Sequence, residues 1–125
     1  MIYIVLNAIP ILLATLAGLV AGWLLHRTSG APTRGLVTAA LAEAWFAAIL
    51  AGALILAPDK APPWVMAVMT ALVIWIGFVA PALVVTLRHR DLGWRAVGVE
   101  AGYWLAVMVV QAVVLKLVGL VPPPV

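Results

Sequence analysis

Two carboxylates stand inside long apolar runs, Glu43 in one and Glu100 in another. Glu43 lies nine residues beyond Arg34, roughly 13 Å along a helix axis and near the middle of a bilayer. A carboxylate at that depth is costly, so it should face the inside of a helix bundle and either pair or carry a proton. No Lys or Arg on its own run can reach it. Glu100 enters its run only five residues past Arg95, in the inner third, where headgroup-level water is within reach. Its helical face continues through Tyr103, Trp104, Val107 and Gln111. Trp104 is as far past Arg95 as Glu43 is past Arg34. Equal depth makes a hydrogen bond from the Trp104 indole or the Tyr103 hydroxyl to Glu43 a geometric expectation. In the other half, Asn7 and Gln111 are expected to form a second polar layer, supported by Thr15 or Thr70. Such a set can bind a proton in a small transport path. It can also fasten helices by interhelical hydrogen bonds worth about 1 kcal/mol or less each.

Other chemistry finds no residues to carry it. His26 and His89 sit at the ends of the apolar runs, so axial ligation of a buried haem by imidazole is not expected. There is no glycine loop to cradle phosphate and no His/Asp spacing for a metal. Ser29, the only serine, falls in a loop beside Pro32. Cysteine is absent, which excludes disulfides, thiolate metal sites and cysteine nucleophiles. The expectation is a protein that is not an enzyme and carries no cofactor or metal.

Four uninterrupted runs must position these residues: Ile2–Leu25, Gly35–Ala57, Trp64–Leu87 and Ala96–Val121. Each exceeds the ~20 residues a helix needs to cross a hydrocarbon core. Helices are required, because a lone apolar strand would leave its backbone groups unpaired in lipid. Of the 125 residues, 67% are hydrophobic and 9% charged, and the mean hydropathy is +1.26. That composition belongs to membrane proteins rather than soluble domains. The fold expected is an all-α, integral membrane four-helix bundle, up-down-up-down with short loops, forming a single transmembrane domain over residues 1–125. The first run lacks a basic leader and is too long for a signal peptide.

The connecting segments are short and carry the helix breakers: Thr28-Ser29-Gly30-Ala31-Pro32, then Pro58-Asp59-Lys60-Ala61-Pro62-Pro63, then Arg88-His89-Arg90-Asp91. Arg27 and Arg34 flank the first, and Arg88, Arg90 and Arg95 flank the third, while the other face has only Lys60 and Lys116. The positive-inside rule then places the first and third loops in the cytoplasm of a bacterial inner membrane, with both termini outside. Trp23, Trp64 and Trp94 lie near run ends as interfacial anchors. Pro122-Pro123-Pro124 should stop the last helix. The net charge of +3 rests on seven Lys and Arg at helix ends. They form no basic face, so no nucleic-acid partner is expected.

Association in lipid depends on close backbone approach, which small residues permit. Gly18 and Gly22 form one GxxxG pair in the first run, and Gly98 and Gly102 another in the fourth. Alanines line the second run. These stripes are expected either to hold the four helices of one molecule together or to serve an oligomeric or partner surface. In the third run, Pro81 cannot donate to the carbonyl of Gly77 and should kink the helix there.

The stretch Trp75-Ile-Gly-Phe-Val-Ala-Pro-Ala-Leu, a short basic loop, and then Glu100-Ala-Gly-Tyr-Trp-Leu resembles domain-of-unknown-function family 1761. The Asn7 to Trp23 stretch is similar more loosely. The family's members are small bacterial membrane proteins with four helices, and the resemblance implies that fold and no activity. The present chain departs from the family pattern by placing Glu100 and Trp104 where that pattern has Asn and His. The function expected is a structural or accessory one. The chain would act in the bilayer as a homo-oligomer or as a subunit of a larger membrane complex. The alternative is a proton-coupled transporter or channel for a small solute, acting as an oligomer through Glu43 and Glu100.

Overall fold

The computed structural model describes residues 2–29, 36–58 and 60–122, with the side chains of residues 26–29 and 36 outside that description. Arg34 and most of the first loop, Asp59 of the second loop and Pro123-Pro124 therefore lie outside the described residues. In chain order the elements are α1 (Ile2–Leu6), α2 (Ala8–Ser29), α3 (Leu36–Leu56), α4 (Pro63–Ile74), a π-helical turn (Trp75–Val79), α5 (Ala80–His89) and α6 (Trp94–Val118). There is no strand among them. Four helical stretches, Ala8–Leu25, Val37–Leu56, Pro63–His89 and Trp94–Val118, are long and apolar enough to cross a membrane. The chain is a membrane protein.

Three of these spans depart locally from regular α-helix, the third at the Pro81 position where the sequence predicts a kink, and each departure has a backbone cause. The first is interrupted at Asn7, because Pro10 has no N–H to give the carbonyl of Leu6. The flanking bonds survive, Asn7 N–H to Tyr3 at 2.9 Å and Ile11 N–H to Asn7 at 3.0 Å. In the third, Pro81 removes the donor that Gly77 would have received, and the helix widens by one residue per turn. The N–H of Ala80 reaches the carbonyl of Trp75 instead of that of Ile76. The proline is thus absorbed as a π-bulge. The fourth span stops at Gly119 rather than at the prolines. Gly119 takes φ 95°, a left-handed conformation suited to glycine, and its N–H closes on Leu115 at 3.0 Å.

Helix α6 is the hub, touching α2, α3 and every part of the third span. The core is built mainly of small side chains: Ala14, Ala47, Ala48, Ala51, Ala71 and Ala112 pack with Ile11, Leu50, Met108 and Leu115. Alanine at so many contacts lets helix backbones approach closely, which is the main source of association where lipid removes the hydrophobic drive. Tyr3 clips α1 to this core by donating to the carbonyl of Ala48 at 3.0 Å, its hydroxyl seated over Gly52. At the third loop, Arg88 donates to the Leu92 carbonyl at 3.1 Å and lies 5.0 Å over the Trp94 ring.

Candidate functional site

One turn of helix separates Gly18 from Gly22 on α2, and along that turn α2 offers bare backbone to its neighbours. Polar side chains from α3 and α6 occupy the space. A Cβ on Gly18 would stand 2.8 Å from Glu43 Oε1 and 2.9 Å from Gln111 Nε2. One on Gly22 would stand 2.5 Å from the Tyr103 hydroxyl. This GxxxG pair therefore receives side chains with polar ends, and its neighbours form a polar seam inside the bundle.

Glu43 is 1% exposed and Gln111 fully enclosed. Gln111 Nε2 donates to the backbone carbonyl of Glu43 at 3.2 Å. Oε1 of Glu43 and Oε1 of Gln111 have no hydrogen-bond partner. The bond expected from Trp104 or Tyr103 is not made to Glu43 Oε1. Trp104 does meet α3, but at a different residue: its ring stacks on Phe46 at 5.7 Å and meets Tyr103 edge-on at 5.4 Å. The Tyr103 hydroxyl lies within electrostatic reach of both Glu43 and Glu100, and Glu100 is half-buried.

Asn7 and Gln111 do not share a layer. Asn7 is fully buried, and its amide pairs with the peptide of Val121. Nδ2 donates to the Val121 carbonyl at 2.8 Å, and Oδ1 accepts from the Val121 N–H at 2.6 Å. Nδ2 also donates to Tyr3 at 2.9 Å. Past the end of α6 at Gly119 the Val121 peptide group lies outside the helix, and Asn7 supplies its partners. Thr15 and Thr70 support neither layer, because each hydroxyl bonds the carbonyl four residues earlier on its own helix, both at 2.7 Å.

The other sequence candidates face outward. Gly98 and Gly102 are exposed, and a Cβ at either would meet nothing within 4 Å; the same holds for Gly77. The second GxxxG pair thus does not pack the described chain against itself. No group of three or more His, Cys, Asp or Glu suited to a metal ion occurs among the described residues. A cleft of about 340 Å³ opens where α3, α4 and the end of α6 meet, with apolar walls such as Leu54, Met66 and Leu120 and with Lys116 at its side. It shares no polar residue with the seam.

Trp75 stands out in the sequence only as part of a motif, yet its indole donates to the Ala101 carbonyl at 2.8 Å and ties the π-bulge to α6. Its position is the signal: it lies mid-span, where an N–H has no water and must find an acceptor. Trp75→Phe keeps an aromatic ring and removes the donor. It is expected to lower stability by about 0.6 kcal/mol, read by unfolding in detergent.

A model of a family described as proteins of unknown function, DUF1761, matches residues 26–116. The matched stretch includes Glu43, Trp75, Pro81, Glu100 and Gln111, and leaves Asn7, Gly18 and Gly22 outside it. No curated protein and no solved structure matches the chain.

Proposed function

For this chain, which belongs to the DUF1761 family of proteins of unknown function, we propose a structural or accessory role in a bacterial inner membrane, exercised by packing against a second copy or a larger membrane complex. The observation that carries the reading is the contrast between its two GxxxG pairs. Gly18 and Gly22 are covered by Glu43, Gln111 and Tyr103, whereas Gly98 and Gly102 are covered by nothing within 4 Å. A small-residue pair gives close backbone approach to whatever helix meets it, and on this face such a helix would come from outside the described chain. Neighbouring Val99 is exposed, which widens the available face.

Gly98→Leu with Gly102→Leu is the direct test. Nothing in the described chain stands in the way of the new side chains, so unfolding should stay within about 0.5 kcal/mol of wild type. Co-purification of a second copy or a partner should be lost. The absence of cysteine allows Val99→Cys to be cross-linked in native membranes as an independent readout. If Val99→Cys yields neither a homodimer nor a heavier adduct, the packing role falls.

A second reading, a proton-coupled small-solute transporter or channel acting as an oligomer, is favoured by the bare Oε1 of Glu43 in the bundle interior. It requires pH-gradient-driven solute flux in vesicles, abolished by Glu43→Gln.

A further inference from the structure

Two acceptor oxygens without partners, Oε1 of Glu43 and Oε1 of Gln111, are buried in the interior of the bundle. Leaving a buried acceptor unpaired costs about 1–3 kcal/mol, and more for a charged one. A proton on Glu43 relieves the first and supplies a donor that the second lacks. On Glu43 it converts Oε1 from acceptor to donor, and the Gln111 amide supplies the acceptor beside it. The two side chains converge on Gly18, since Glu43 Oε1 lies 2.8 Å and Gln111 Nε2 2.9 Å from the point where a Gly18 Cβ would stand. Among the described residues no donor meets Oε1 of Glu43, so no cation takes the proton's place there. From α6 it is faced by Gln111, with the titratable Tyr103 hydroxyl within electrostatic reach, and from α2 by Gly18.

We propose that Glu43 and Gln111 form a proton-binding site inside the membrane, filled from the end of the bundle that carries Glu100 and closed toward the end that carries Asn7. The asymmetry follows the order of residues along each helix. Along α6 toward its N-terminus, Gln111 is followed by Tyr103 and then by half-buried Glu100. The Tyr103 hydroxyl rests against Gly22, feels both carboxylates, and can accept and donate a proton in turn. In the opposite direction the seam ends. Ile11 and Ala14 on α2, Leu50 and Ala51 on α3, and Ala112 and Leu115 on α6 are all buried and apolar. Beyond Thr15, itself bonded to its own helix, the next polar side chain toward the N-terminus is Asn7, just before α2. Its amide already pairs with Tyr3 and Val121.

The site shares Glu43 with the transport reading but needs no solute. It can stand where flux assays find none, and it does not depend on any second copy. Dicyclohexylcarbodiimide, an apolar reagent that adds to a protonated carboxyl, tests occupancy on the wild-type chain in lipid vesicles. The acid proton passes to a carbodiimide nitrogen while the carboxyl oxygen bonds its central carbon. The acyl group then migrates to nitrogen, leaving a stable N-acylurea with no leaving group. One adduct mapped to Glu43 by peptide mass spectrometry is the expected result, and an unmodified Glu43 overturns the site. The route is tested by infrared spectroscopy of the same vesicles transferred to deuterated buffer. The carbonyl band of protonated Glu43, identified by its loss in Glu43→Gln, should shift as the proton exchanges. Tyr103→Phe, which removes only the hydroxyl, should slow that shift at least about tenfold. An unchanged exchange rate in both Tyr103→Phe and Glu100→Gln overturns access from that end.

Discussion

Gly18→Leu is expected to lower the stability of the bundle by about 2–3 kcal/mol, with a matching drop in unfolding temperature in detergent. The first atom added would meet Glu43 Oε1 at 2.8 Å, Gln111 Nε2 at 2.9 Å and Gln111 Cγ at 3.3 Å. Glutamate and glutamine ends normally swing aside. These two are enclosed, at 1% and 0% exposure, so they can yield only by separating α2 from α3 and α6. Overpacking of that kind costs about 1–3 kcal/mol, and the Gln111 bond to Glu43 is lost with it, which places the total in the upper part of that range. Gly18→Ala should fall between wild type and Gly18→Leu. A Gly18→Leu chain that melts with wild type would mean that α2 does not seat against the seam.

Asn7→Leu should give a loss of about 1–2 kcal/mol, together with release of the segment after α6. Three bonds go at once, to Tyr3 and to both the N–H and the C=O of Val121. Hydrogen bonds in membrane proteins average only about 0.6 kcal/mol each, and Val121 is exposed enough for water to replace part of what it loses. The cost therefore stays below that of three unpaired buried groups. The more specific readout is hydrogen exchange at the Val121 amide, which should accelerate sharply while the α6 amides stay protected. Asn7→Asp separates the two halves of the contact. A carboxylate still accepts from the Val121 N–H but cannot donate to either carbonyl, so Val121 should keep partial protection. Wild-type protection in Asn7→Leu would remove Asn7 from any role in holding the tail.

The two GxxxG pairs show how far local pattern reaches. They read alike in the chain, four residues apart in apolar helix, and nothing local distinguishes Gly18 from Gly98. One is covered by two polar side chains and the other by nothing within 4 Å. The same holds for the polar residues. Glu43 and Gln111 are 68 positions apart and Asn7 and Val121 are 114 apart. Depth along a helix axis follows from counting residues, and Trp104 does meet α3. Which neighbour it then meets depends on how each helix is rotated about its axis, and counting is silent on that. Phe46, not Glu43, receives the Trp104 ring.

The sequence by itself determined that the chain lies in a membrane, that it crosses as helices, and roughly where each span begins and ends. Length and hydropathy suffice for that, because hydrocarbon forbids unpaired backbone and sets a minimum helix length. It also singled out Glu43, the one charged group in its run. Tertiary structure alone decided which faces turn inward. In nearly uniform apolar helices every face suits lipid almost equally well, so rotation is set by side-chain fit and by the few hydrogen bonds available. That fit placed Glu43 and Gln111 over Gly18, drew Asn7 to Val121, and left Gly98 and Gly102 facing outward.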